Sequence, residues 1–302
     1  MLKKLFAISV CAVSLNTMAV EVPEDKHEND YQWMNLNLYH GQDQRGGPFS
    51  FDDQYFEVEF GGRSGALDLY GYVDFKDIFN NDNSDVHNGA NIFADIEARF
   101  SLDYLFDKDL SVGPVNEWYI ATDLYYADNE CASGCATFDK DGNPLPETST
   151  AGGLKVFWLG VGADVDVPWL GKTGVNLYKR FIRENYGASN EGEWDGYAFH
   201  VNWYKPFYHF ENKSFLSFQG YFDYEFGSDL DKGTAFEQEY RTDSSLQTYL
   251  GVWYNMPNHN FKVGYGLKFY DDMTQWKDGT ILDGKPVDTT GVAQYFNVTY
   301  AF

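Results

Sequence analysis

Tyr295-Phe296-Asn297-Val298-Thr299-Tyr300-Ala301-Phe302 ends the chain. Side chains of an extended strand alternate between two faces, so Phe296, Val298, Tyr300 and Phe302 share one face and Tyr295, Asn297, Thr299 and Ala301 the other. The first face is wholly apolar. A terminal strand of this kind can lie half-buried in a soluble sheet, or it can close a cylinder whose outer face meets lipid. The remaining residues decide between the two.

Residues 1–19 read as a secretory leader: Lys3 and Lys4, an apolar run over 5–13, then Thr17-Met18-Ala19, small at its outer positions as a cleavage site requires. That run is too short to span a bilayer, and no later stretch reaches the roughly 18 uncharged apolar residues of a transmembrane helix, which excludes a helical membrane protein. Removing the leader removes two lysines and no acid, taking the formal charge from -24 to -26. Nucleic acid is excluded as a partner, because phosphates require a field of the opposite sign. Cys11 leaves with the leader, and Ile8, Ser9 and Val10 before it make a poor lipoprotein site. Cys131 and Cys135, in Cys-Ala-Ser-Gly-Cys, read as a small disulfide-closed loop in an oxidising compartment. At this spacing a metal would lack two ligands.

Aromatic residues make up 19% of the chain and charged residues 23%. Instead of long apolar runs or helical periodicity, segments of alternating character follow one another, separated by Gly, Asp and Asn. After an acidic, mobile segment over 20–30, the first strand (31–40) sets Met34, Leu36 and Leu38 against Asn35, Asn37 and Tyr39. The next two set Phe56, Val58 and Phe60 against Tyr55, Glu57 and Glu59, and Leu67, Leu69 and Val73 against Asp68, Tyr70, Tyr72 and Asp74. The fourth (91–101) and fifth (115–127) place Asp95, Glu97 and Arg99, then Glu117, Tyr119, Asp123 and Tyr125, on the polar face. Strands over 154–166, 174–182 and 197–204 follow, the last with His200 inward. The ninth (215–226) alternates Phe218 and Phe222 with Tyr221 and Asp223. Strands at 246–254 and 261–270 and the terminal one complete twelve.

Connections over 41–53, 76–90, 128–153, 183–194, 227–245 and 271–290 are long, whereas those over 61–65, 167–173, 205–213 and 256–259 are short, with 102–114 the exception. Long loops on one side, short turns on the other and an even strand count are the outer-membrane pattern. The expected fold is therefore all-β, a twelve-stranded antiparallel transmembrane barrel with long extracellular loops and short periplasmic turns, filling 20–302 as one domain. Phe302 then resembles the assembly signal of such barrels, read by the barrel-assembly machinery. Outer-membrane lipid and lipopolysaccharide are the expected surroundings.

Several stretches resemble the family of the nucleoside-specific channel Tsx, most closely its Vibrio-type OmpK branch: Asn29-Asp30-Tyr31-Gln32-Trp33-Met34, Glu59-Phe60-Gly61-Gly62-Arg63-Ser64-Gly65, Asp68-Leu69-Tyr70-Gly71-Tyr72-Val73-Asp74, Asp109-Leu110-Ser111-Val112-Gly113-Pro114 and Gly174-Val175-Asn176-Leu177-Tyr178. Glu193-Trp194-Asp195-Gly196-Tyr197 is similar to Tsx proper, and Gln219-Gly220-Tyr221-Phe222-Asp223-Tyr224 to the OmpK branch. The resemblance implies a monomeric Gram-negative outer-membrane barrel with a narrow aromatic lumen that conducts nucleosides, and loops that bacteriophage use as a receptor. It departs at 39–48, where the family's Tyr-His-x-Arg-Phe-Gly-Pro run has an aromatic that Tyr39-His40-Gly41-Gln42-Asp43-Gln44-Arg45-Gly46-Gly47-Pro48 lacks.

A nucleoside is neutral, flat at one end and rich in hydroxyls at the other, so its pore needs aromatic faces and polar acceptors. Tyr70, Tyr72, Tyr119 and Tyr221 are the candidate lining aromatics, Asp68, Asp95, Glu117 and Asp223 the hydroxyl acceptors, and Arg99 their charge partner. The same groups can instead form a polar network that fills a small barrel. That leaves a second reading, a plugged barrel acting as a surface receptor or adhesin. Nothing supports an enzyme: His200 has no identifiable nucleophile beside it, and Asp95 with Glu97 is what an acidic pore wall shows. Asp139-Lys140-Asp141-Gly142-Asn143 has its Gly one position off a calcium-loop pattern and reads as a turn. No metal or cofactor is expected.

Overall fold

The computed structural model describes residues 23–79, 92–127, 153–257 and 260–302. The leader, Cys131, Cys135 and the 139–143 turn lie outside the described residues. The strands are β1 (Tyr31–Arg45), β2 (Ser50–Ser64), β3 (Leu67–Phe75), β4 (Ile92–Ser101), β5 (Val115–Ala127), β6 (Leu154–Val167), β7 (Gly171–Asn185), β8 (Glu193–His209), β9 (Phe215–Phe226), β10 (Ser245–Asn255), β11 (Phe261–Asp271), a small hairpin of β12 (Ile281–Leu282) and β13 (Lys285–Pro286), and β14 (Gly291–Ala301). All but β12 and β13 pair antiparallel with their sequence neighbours, and β14 pairs with β1 to close a twelve-stranded barrel. The seam runs in register from Asn35 opposite Ala301 to Gln42 opposite Gln294. At its end the Phe302 N–H donates to the Met34 carbonyl at 3.0 Å. Closure leaves no strand edge unpaired, which is what permits a sheet to stand in hydrocarbon.

Exposure is inverted relative to a soluble protein. Met34, Leu38, Ile120, Leu124, Val161, Leu177, Leu250 and Val298 are exposed, whereas Asn37, Glu97, Arg99, Asp123, Asp164, Asn176 and Asp223 are buried. The apolar face of every strand therefore looks out to lipid and the polar face into the lumen.

The strands outrun their apolar alternation. The 41–53 loop shrinks to a turn over 46–49, because β1 continues to Arg45 and β2 begins at Ser50; the 183–194 loop becomes 186–192, and β8 runs on to His209. Hydrophobic alternation stops where lipid stops, but the backbone ladder continues as long as neighbouring strands can pair. The expected exception at 102–114 contains a short helix, α1 (Leu102–Phe106), capped by the Ser101 side chain. A second, α2 (Ala235–Tyr240), lies in the 227–244 connection and carries a Thr234/Glu237 capping box.

Candidate functional site

At the periplasmic end of the lumen the inward residues form an ion network. Arg63 grips Glu117 with both terminal nitrogens, at 2.8 and 2.5 Å, while Ser101 donates to the same carboxylate. Arg99 bridges Asp68 at 3.1 Å and Asp164 at 2.9 Å, and its guanidinium lies 4.3 Å from the centre of the Tyr119 ring. Lys172 adds a second cation on Asp164, at 2.5 Å. The Tyr119 hydroxyl stands 2.7 Å from Glu117 and 2.9 Å from Asp164, so its one proton sits between the two carboxylates and donates to one of them at a time. Opposite charges satisfied this completely hold their geometry.

Higher up, opposite walls approach. Glu97 on β4 and His200 on β8 stand 3.7 Å apart, and the other imidazole nitrogen is 2.5 Å from Asp223 on β9. Gln247 donates to the second Asp223 oxygen at 3.0 Å. Asp95, Glu97 and Asp123 each bring an oxygen within 4.8 Å of the other two. Tyr72 on β3 and Tyr221 on β9 stand six strands apart in the closed barrel, on opposite walls, and both border the cavity.

Aromatic rings line the walls between these polar groups. One track passes from Trp33 through Tyr70, Tyr72, Phe93, Tyr125 and Trp158 to Tyr178, with ring centres 4.7 to 6.2 Å apart. The facing wall carries Tyr221 stacked on Tyr249, which meets Trp253 and Tyr295. Glycine makes room there: a Cβ at Gly264 would overlap the Trp253 indole, and one at Gly266 the Tyr249 ring. The two rings consequently lie against the wall instead of across the lumen, and Trp253 Nε1 donates to Asn297 on the closing strand at 3.1 Å.

The outer mouth is framed by loops. Arg180 on β7 donates to the Gln275 side chain at 3.3 Å, tying the wall to the 272–290 connection, and Glu237 in α2 accepts from the Ser189 N–H at 2.7 Å, tying the 227–244 connection to the 186–192 one. Arg241 lies 4.2 Å over Trp276, and burial holds its guanidinium down at about 10 despite the nearby Glu237. Phe49, just past the departure at 39–48, packs into the Trp276, Leu282 and Val287 cluster at this mouth.

A single cavity of about 1730 Å³ joins the levels, touching Tyr31, Asp164 and Lys172 below and Arg45, Gln275 and Trp276 above. Of the residues singled out from sequence, Asp68, Tyr70, Tyr72, Asp95, Arg99, Tyr221 and Asp223 line it. Glu117 and Tyr119 do not; at 2% and 0% exposure they sit within the ion network that supports the wall. The sequence alone assigns no role to Asp164, Lys172, Trp158, Gly264 or Gly266. For Asp164 and Trp158 the inward phase of the strand was the available signal, while Lys172 fell in an expected turn. Gly264 and Gly266 share the inward phase of β11, a pattern that marks close approach by neighbouring side chains.

The match of residues 28–302 to the family model for the nucleoside-specific channel-forming protein Tsx decides the family. The chain belongs to the Tsx channel family. It is 40% identical to outer membrane protein OmpK of Vibrio parahaemolyticus serotype O3:K6 over 305 residues, with all of both chains covered. It is 30% identical to Tsx of Klebsiella pneumoniae over 315 residues, again with both chains fully covered. Tsx of Escherichia coli O157:H7 is 29% identical over 307 residues, covering 98% of this chain and 97% of that one. This family member is an outer-membrane β-barrel of a channel-forming family, not of an enzyme family.

Proposed function

We propose that the barrel is a passive channel for nucleosides and similar small polar solutes. The observation that carries this is the pairing of ring and acid on both walls of the cavity: Tyr72 on β3 and Tyr221 on β9, six strands apart and both partly exposed to the lumen, stand beside the buried acceptors Asp95 and Asp223. A flat base gains stacking area there while ribose hydroxyls find carboxylate acceptors, and a neutral solute brings no charge that must be stripped of water. Asp68 and Tyr70 extend the same chemistry toward the periplasmic end. The wide cavity favours this reading over a plugged receptor barrel.

Single-channel recording in planar bilayers tests the proposal, with adenosine, uridine and a neutral sugar as blockers. Nucleosides are expected to interrupt the current at concentrations where the sugar does not. Each ring is worth about 1–3 kcal/mol of stacking, so Tyr72→Ala or Tyr221→Ala should weaken nucleoside block by roughly 5- to 150-fold. Equal block by sugar and nucleoside refutes the selectivity, and no block at all refutes the binding slot.

A further inference from the structure

Cations of the inner wall hold carboxylates: Arg45 pairs with Asp288, Arg63 with Glu117, Arg99 with Asp68 and Asp164, Lys172 with Asp164 and Arg180 with Glu225. Lys268 on β11 borders the cavity too, yet among the described residues it makes neither an ion pair nor a hydrogen bond. Two rings hold its ammonium instead: Nζ lies 5.4 Å from the centre of Tyr221 and 5.3 Å from that of Tyr270, and both rings border the cavity. Strand register accounts for the reach. Lys268 pairs with Tyr249 on β10 and Tyr249 with Tyr221 on β9, so the three form one row across the wall. Two strand spacings, about 9.6 Å, separate the ends of that row, and the four-carbon stem of the lysine lies along it toward β9. Tyr249 leaves the room by lying against the wall at Gly266.

Cation–π attraction fixes where an ammonium sits but leaves its three N–H donors unmet, and an ammonium has no acceptor of its own. Lumen water is the default partner. A carbonyl oxygen or ring nitrogen brought to the same place forms a charge-assisted hydrogen bond, which contributes more than a neutral one. The ammonium stands over the Tyr221 ring, so a flat solute stacked on that ring presents its edge to Nζ. An anion is the poorer guest, because Asp223 lies two residues along the same inward face of β9 and repels it. We propose that Lys268 is the specificity-determining donor of the lumen slot, reading a carbonyl oxygen or ring nitrogen on the edge of an aromatic solute held against Tyr221. This rests on the nucleoside reading above and narrows it to bases that carry such an acceptor.

Single-channel block of the full barrel by thymidine is compared with block by its difluorotoluene isostere, which keeps the shape and the sugar but carries fluorine in place of both carbonyl oxygens. In Lys268→Met, thymidine block is expected to weaken about tenfold or more while isostere block holds, because only thymidine loses a bond to a charged donor. Lys268→Arg keeps the charge and the donors and should retain most of the thymidine preference. Equal weakening of both blockers in Lys268→Met overturns the proposal, because the lysine then only shapes the wall. Wild-type protein that thymidine and the isostere block alike also overturns it, a result that needs no variant to fold. Absence of block by either compound overturns the nucleoside reading as well, whereas thymidine block indifferent to Lys268→Met overturns this inference alone.

Discussion

Arg99→Gln removes the cation that two acids share. The side chains of Arg99, Asp68 and Asp164 are 11%, 15% and 2% exposed, so the pairs are nearly buried and surface screening does not apply. Breaking a buried pair by deleting one partner costs about 3–5 kcal/mol, chiefly because a charge is left uncompensated. Lys172 remains on Asp164 and lumen water reaches Asp68, which places the ionic part near the lower end. Loss of the guanidinium over Tyr119 adds about 1 kcal/mol. The expected loss is therefore about 4 kcal/mol, measured as reversible urea unfolding of the barrel in lipid vesicles by tryptophan fluorescence. Arg99→Lys keeps the charge but cannot span both carboxylates, so it should fall between wild type and Arg99→Gln. Adding Asp68→Asn to Arg99→Gln removes one orphaned charge and should restore part of the loss. A penalty below about 1 kcal/mol for Arg99→Gln refutes the reasoning, because it is what an exposed pair would give.

Gly264→Ala should push the Trp253 indole off the wall and break its bond to Asn297, lowering open-channel conductance while barrel yield is retained; unchanged conductance would show that the glycine gives no clearance that matters. Burial tends to raise the Glu237 carboxyl, yet the N–H groups of Ser189 and Thr234 outweigh it and hold the group below the usual glutamate range. Its contribution to loop order is thus present above the unfolded value and lost as pH falls through the folded one; hydrogen exchange over 233–241 should speed up on acidification, and in Glu237→Gln it should already be fast at neutral pH. Deleting Phe302 removes one backbone bond and an exposed ring, so the extracted barrel should lose only about 1 kcal/mol, whereas membrane yield should fall severalfold; normal yield would count against an assembly role.

The alternation of Asp68, Tyr70 and Tyr72, or of Asp95, Glu97 and Arg99, was enough to place those side chains inside, because period two is dictated by the strand backbone. Register is also local once the turns are short, so the twelve-strand order followed. What one strand cannot reveal is which inward residues meet across the lumen. Glu97 meets His200 at 103 positions' remove, and Arg63 reaches past two strands to Glu117, distances fixed by the girth of the closed barrel. Hence Glu117 and Tyr119 read from sequence as pore-lining although their neighbours enclose them. The departure at 39–48 likewise looked like a missing aromatic, while Phe49 supplies a ring at the mouth through the loop fold.

The lumen residues divide by what can touch a passing solute. Glu117 and Tyr119 are satisfied on every side by Arg63, Ser101 and Asp164, so a solute cannot reach them without breaking bonds already made. Tyr72 and Tyr221 keep part of each ring open to the cavity and owe little of their fixation to hydrogen bonds. Substitutions in the first group must then act on unfolding before they act on transport, and those in the second on transport before unfolding. A Tyr119→Phe barrel that unfolds early but binds nucleoside normally, beside a Tyr72→Ala barrel that does the reverse, would separate scaffold from selectivity filter within one aromatic lumen. If both variants shift the two measurements together, the network and the slot are a single mechanical unit, and the pore's shape is set by its ion pairs.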